Sequence, residues 1–274
     1  MDQFTNKIAV ITGAGSGIGR ALAQHCAAEG MRVALADLHT GRLETLAEQL
    51  KDAGTEVLSC SLDVADPEKV SAFAEQVGST FGTPDLLFNN AGILRVGETW
   101  TQSYQQWQQL LSVNLMGVVN GLNAFVPAMI ESGQPAHIIN TGSVGSLVVA
   151  PGMAQYTAAK MAVRGITESL LYDLKAQNSS IDVSLLCPGP VLTSIADELM
   201  GLEPDDSVAA PTEHLMAGQP NFIPPIDVAE IVFQAIRERR FWIFTHLFNK
   251  HLELMTKDML EGRNPEYREV EFDL

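Results

Sequence analysis

Lys7-Ile8-Ala9-Val10-Ile11-Thr12-Gly13-Ala14-Gly15-Ser16-Gly17-Ile18-Gly19-Arg20 is the stretch from which the architecture can be read. Its apolar, β-branched start predicts a short buried strand, its glycines a tight turn, and the small and apolar residues onward to Ala28 a helix. Residues without a Cβ let backbone N–H groups and the positive end of the helix dipole approach an anion such as a pyrophosphate. The strict G-x-G-x-x-G spacing is not met, because Ile18 stands where the third glycine belongs; T-G-x-x-x-G-x-G fits instead. A glycine turn after a buried strand also arises for packing reasons alone, so the rest of the chain has to decide.

Working outward, apolar β-rich runs recur at 8–11, 33–36, 57–60, 86–88, 138–139, 183–186 and 241–244, with helix-period segments between most of them. Short buried strands alternating with amphipathic helices predict an α/β fold, a single doubly wound Rossmann-type domain whose seven-stranded parallel sheet is covered on both faces. Asp66-Pro67 marks one helix start, and Asp227 with Glu230 reads as a capping-box start of another. The stretch 104–130 reads as one helix that breaks or ends near Pro127. No linker divides residues 1–274. The rhythm lapses over about 189–225, which holds six prolines and follows the sixth strand. Connections of that length serve as lids or binding loops, and this one is expected to cover a substrate. Residues from about 246 to 274 form a C-terminal extension that ends acidic.

The 274 residues carry 17 Lys and Arg against 33 Asp and Glu, a formal net charge of −16. Such a field repels nucleic acid and anionic membrane surfaces, so neither is expected as a partner. No apolar stretch is seen to run the roughly 20 residues a bilayer span needs without a break, and residues 1–7 lack the pattern of a secretion signal. The expectation is a cytoplasmic protein. Cys26, Cys60 and Cys187 show no ligand spacing and the six histidines no paired pattern, so no metal is expected.

Eighteen residues past Gly19, at the end of the second strand, stands Asp37. A carboxylate there can accept both hydrogen bonds of an adenosine ribose diol and repels a 2′-phosphate. With Leu38 next to it and Ala14 and Ser16 in the turn, where a basic residue would favour the phosphate, NAD is expected over NADP. Asp63-Val64 closes the third strand, where it can hold the adenine edge.

Tyr156-Thr157-Ala158-Ala159-Lys160 sets a phenol and an ammonium four residues apart, on one helix face. Tyrosine ionises near pH 10, too high for a proton shuttle at neutral pH, and a nearby cation lowers that value. Ser143 lies thirteen residues upstream, just past the fifth strand, where a hydroxyl faces the ligand crevice of an open sheet.

These residues, with Asn89-Asn90-Ala91-Gly92, Asn114 and Pro188-Gly189 followed by Thr193, stand in an order and spacing that resembles the short-chain dehydrogenase/reductase family over nearly the whole chain. The resemblance implies a catalytic set of Asn114, Ser143, Tyr156 and Lys160. Tyr156 would be the acid/base, Ser143 would bind the substrate oxygen, Lys160 would hold the nicotinamide ribose, and Asn114 would anchor a water in a proton relay. It also implies a cofactor set of Gly13, Ser16, Gly17, Ile18, Gly19, Asp37, Asp63, Val64, Asn90, Ala91, Gly92, Pro188, Gly189, Val191 and Thr193, beside Tyr156 and Lys160. A homotetramer is implied, with a dimer as second choice.

Around the expected pocket Val144, Val149, Met153, Leu192, Ile195 and Leu199 are apolar, and no Lys or Arg occurs from Gly189 through Val228. With Ser143 and Tyr156 these form the expected substrate set. A neutral, fairly bulky secondary alcohol or ketone of terpenoid, steroid or aromatic type is the expected substrate, since anionic conjugates call for a basic clamp. A 3-oxoacyl-carrier-protein reductase would prefer NADP and need basic docking residues, which the lid region lacks. A noncatalytic NAD-binding regulator would be expected to have lost Tyr156 or Lys160.

Overall fold

The computed structural model describes residues 3–195 and 221–272. Seven parallel strands form one sheet in the order β3-β2-β1-β4-β5-β6-β7: β1 Ile8–Thr12, β2 Arg32–Asp37, β3 Val57–Ser61, β4 Leu86–Asn89, β5 Ala136–Thr141, β6 Ile181–Cys187 and β7 Trp242–Phe244. The chain builds leftward from β1 to β3, then returns to lay β4 on the other side of β1. At that reversal successive turns diverge and leave a crevice at the C-terminal ends of the strands.

Helices α1 (Gly17–Ala28), α2 (Thr40–Asp52) and α7 (Pro225–Arg237) cover one face of the sheet. On the other lie α3 (Pro67–Thr80), α5 (Gly117–Ser132) and α6 (Ala154–Ala176). Each face has its own dry core. Phe4 meets Phe233 edge-on at 4.9 Å in the first, and Phe73 meets Phe125 at 6.1 Å in the second. Truncating any of these fully buried rings to alanine would cost about 3–5 kcal/mol.

Asp66 caps α3 as its sequence predicts, accepting from the backbone of Glu68 and Lys69. Two expectations need correction. Helix α7 begins at Pro225, so Asp227 lies in its first turn and forms no side-chain cap; the fixed φ of proline starts the helix three residues early. Nor does Pro127 end a helix. Tyr104–Leu111 (α4) passes through a π turn, Ser112–Met116, into α5, which runs past Pro127 to a left-handed Gly133 at φ 62°. Proline deletes one backbone bond, but Phe125, Val126 and Met129 are buried on either side of it and packing outweighs the loss.

That continuous run, Tyr104–Ser132, reaches a mean hydropathy of 1.5 over an 18-residue window, apolar and long enough by composition to cross a membrane, contrary to the expectation that no such stretch exists. Half of the window is buried inside the protein. Packed against α3, the helix has the apolar content of a core element.

Candidate active site

Gly13 leaves β1 with φ +66°, and a Cβ there would come 2.8 Å from the Cα of Ala91. Gly17 opens α1 with φ +49°, and its missing side chain makes room for Thr193, whose Cγ2 would lie 2.8 Å away. These left-handed angles and close approaches make a cradle that any side chain would fill. Gly19 serves differently: a Cβ would strike the Gly13 carbonyl at 2.0 Å, and the residue is buried outside the cleft lining. It seats α1 on the turn.

Thr12 ties the two sides of the reversal together. Its hydroxyl donates to the Phe88 carbonyl at 3.3 Å and accepts from the amides of Asn90 and Ala91 at 2.9 and 3.2 Å. The Asn90 amide group donates back to the Thr12 carbonyl at 3.1 Å.

From this cradle a cleft of about 290 Å³ runs along the strand ends. Asp37 stands at one end. Its Oδ2 accepts from the Gly15 amide at 2.8 Å and its Oδ1 from the His39 amide at 2.8 Å, so backbone fixes the carboxylate in place. Asp63 and Val64 flank it in the cleft wall, as do Leu38, His39 and Arg42. Arg42 is buried on α2, five residues past Asp37. A reading confined to the turn and to Leu38 passes over it, because its place in the wall depends on how α2 packs.

Tyr156, Lys160 and Ser143 meet at the other end. The N-terminal turn of α6 carries Tyr156, and a Cβ placed on Gly145 would lie 3.5 Å from its ring and 3.6 Å from the Ser143 hydroxyl, so the two side chains share this corner. The Lys160 Nζ lies 5.6 Å from the Tyr156 ring centre and donates to the Thr141 carbonyl at 2.8 Å. Burial pushes the phenol above its usual value, with the neighbouring Ser143 hydroxyl pulling the other way. It also lowers the Lys160 ammonium to about 8. The depression of Tyr156 expected from Lys160 is not found: desolvation sets the direction, and the lowering influence comes from Ser143.

Ser146, which the sequence did not single out, locks this corner: its hydroxyl donates to the Lys160 carbonyl at 2.9 Å and accepts from the Ser143 amide at 3.2 Å. Asn114 sits in the π turn, fully buried, with its side-chain amide paired at both ends to the Ile93 backbone at 2.8 Å. It lies behind the wall; a Cβ on Gly92 would be 3.5 Å from its Oδ1 and 3.6 Å from the Lys160 Nζ, so Gly92 is the gap between them. A π turn of this kind often marks a functional position within a helix.

Gly13, Ser16, Gly17, Ile18, Asn90, Ala91, Gly92, Pro188, Gly189, Val191 and Thr193 all line the cleft. Of the expected substrate residues, Ser143, Tyr156 and Ile195 line it, whereas Val144, Val149, Met153 and Leu192 do not. Val144 is turned into a short 3-10 turn with its amide on the Pro188 carbonyl at 3.0 Å, and Val149 is 58% exposed. Leu199, and the lid between residues 195 and 221, lie outside the described residues. Among the described residues, no group of three His, Cys, Asp or Glu side chains is placed to hold a metal.

Residues 7–201 match the family model for short chain dehydrogenases. A CLA biosynthesis dehydrogenase/reductase of Lactiplantibacillus plantarum is 34% identical over 257 residues, covering 90% of each chain. A 1-deoxy-11-beta-hydroxypentalenate dehydrogenase of Streptomyces exfoliatus is 36% identical, covering 89% of this chain and 84% of that one. A short chain dehydrogenase/reductase from Burkholderia phymatum, solved in complex with NAD, superposes with a TM-score of 0.89 at 38% identity over 98% of this chain and 100% of its own.

Proposed function

The chain belongs to the short chain dehydrogenase family of oxidoreductases, and from that premise we propose that it interconverts a secondary alcohol and a ketone, with NAD as the preferred cofactor. The observation that carries this reading is the corner where Tyr156 and Ser143 line one cleft wall, with the Lys160 Nζ 5.6 Å from the ring, in the same cleft as Asp37. NAD, when bound, accepts the hydride from an alcohol carbon or returns it to a carbonyl.

The glycine cradle suits a pyrophosphate, which would sit at the start of α1 under Gly13, Ser16, Gly17 and Ile18. Asp37 would accept from the ribose diol, and Asp63 and Val64 would border the adenine. Asn90, Ala91 and Gly92 would line the middle of the cofactor, and Pro188, Gly189, Val191 and Thr193 its nicotinamide end. Lys160 would hold the second ribose. Ser143 would orient the substrate oxygen and Tyr156 would take or give its proton. Asn114 would hold a water through which that proton continues past Lys160. A proton shuttle of this sort contributes about 10²–10⁴-fold to a rate.

A neutral, apolar and fairly bulky substrate is favoured by the absence of Lys and Arg from 189 to 228 and by Val191 and Ile195 in the wall. The pentalenate relative acts, by its name, on a hydroxyl group of a carboxylate, which accords with an alcohol substrate and not with its neutrality. A homotetramer in the cytoplasm is the accompanying expectation, checked by light scattering. A second reading, NADP, draws on Arg42, whose guanidinium could meet a 2′-phosphate from the wall beside Asp37. The test is an NAD- and NADP-linked screen of secondary alcohols and ketones of graded bulk. Turnover with NAD on the larger apolar members supports the proposal; equal efficiency with NADP removes the argument from Asp37.

A further inference from the structure

Gly189 is not glycine for its own backbone angle. A Cβ there would come 2.6 Å from Nδ1 and 2.8 Å from Cγ of His246, a residue that is 2% exposed. The Gly189 amide donates to Thr245 Oγ1 at 3.0 Å, Thr245 Oγ1 lies 2.7 Å from His246 Nδ1, and His246 Nε2 lies 2.7 Å from the Asn221 carbonyl.

The chemistry of these partners fixes every proton. A carbonyl only accepts, so Nε2 carries the hydrogen; Nδ1 of the neutral ring is then the acceptor, and the Thr245 hydroxyl donates to it. The Thr245 oxygen is left to accept from Gly189. The three hydrogen bonds match donor to acceptor throughout, and burial, which lowers the basicity of His246, favours the neutral ring this pattern requires.

The other side of the ring faces the end of the chain. Phe272 meets His246 at 5.2 Å between ring centres and Phe248 at 6.2 Å, and Phe248 in turn meets Phe244 of β7 edge-on at 5.5 Å. Helix α8 (Asn249–Leu260) holds the tail in this position. Its Asp258 accepts from Arg263 at 2.8 Å and Arg268 at 2.7 Å, and Lys250 reaches Glu271 at 3.3 Å.

We propose that Thr245, His246 and Phe272 form a brace running from the C-terminal tail to the Gly189 amide, and that Thr245 and His246 are positioning residues for the cofactor. The brace sets the Pro188–Gly189 turn against the nicotinamide end of the bound dinucleotide. It rests on the reading that this turn borders the nicotinamide. It gives the tail of an otherwise ordinary α/β domain a task, fixing from behind a turn whose other side lines the cleft. Neither Thr245 nor His246 lines the cleft itself, so their effect passes through Gly189.

The test measures NADH dissociation by fluorescence, together with kcat, KM for NAD and melting temperature, on the full chain. Thr245→Val removes the acceptor of the Gly189 N–H and is expected to raise the dissociation constant and KM about tenfold while kcat stays within about threefold. Thr245→Ser keeps the hydroxyl and should restore both to within about twofold, which a merely structural role for the methyl group would not do. Phe272→Ala should raise them about threefold. A folded Thr245→Val protein with the parent affinity, or a Thr245→Ser protein as weak as Thr245→Val, overturns the brace. Should Thr245→Val not fold, unchanged NADH affinity in Phe272→Ala overturns it. A parent protein that binds no NADH would instead bring down the cofactor reading on which the brace depends.

Discussion

At the Asp37 end of the cleft the protein contributes mostly backbone. The cradle is made of glycines whose side chains are missing where a Cβ would collide, and the carboxylate is held by two amides. At the Tyr156 end it contributes side chains, gathered from α6, from the turn after β5 and from a π turn, and buried enough that Tyr156 and Lys160 titrate away from their ordinary values. A backbone cradle binds by shape and by fixed dipoles and has little to adjust. A cluster of dehydrated titratable groups performs proton chemistry, and the cost of desolvating it is borne by the surrounding fold.

That contrast can be broken experimentally. The largest effect is expected from Tyr156→Phe, which should lower turnover about 10²–10⁴-fold while NADH affinity, set by the other end, changes by less than about threefold. If binding and turnover fall together, the two ends do not divide the labour as described. Gly19→Ala should do the converse. With the Gly13 carbonyl 2.0 Å from the new methyl, α1 must shift, and a cost of about 1–3 kcal/mol should appear as a lower melting temperature and a raised KM for NAD.

Asp37→Asn keeps the shape and removes the charge; the ratio of kcat/KM for NAD over NADP is expected to drop about 10–100-fold, and an unchanged ratio would assign the choice to Arg42. The smallest effect concerns pH. With its basicity lowered by burial, Lys160 is an ammonium below about 8 and loses the proton above it. NADH affinity should therefore be flat at lower pH and weaken as pH rises through that value. In Lys160→Ala the same titration should show no such inflection, which separates the ammonium from every other group in the cleft.

Legibility in the sequence follows the same division. Short apolar runs gave all seven strands within a few residues, because parallel strands covered on both faces have no polar side to blur the signal. The turn glycines, Asp37, Tyr156 and Lys160 could be read because each lies at a fixed distance from a strand end. Arg42 and Ser146 could not, since their parts depend on how α2 and α6 pack rather than on any local spacing. Pro127 shows the limit from the other side: its local rule says stop, and the buried Phe125, Val126 and Met129 override it.

By itself the sequence determined the parallel sheet, the turn that opens α1 and the candidates proposed to carry a proton, because periodicity and residue chemistry are local properties of the chain. Only the tertiary structure decided that Gly19 packs rather than lines the cleft, that burial raises the Tyr156 phenol, and that the C-terminal Phe272 lies against His246 behind Gly189. Each of these depends on desolvation or on contact between residues distant in the chain, and neither is fixed until the fold has closed.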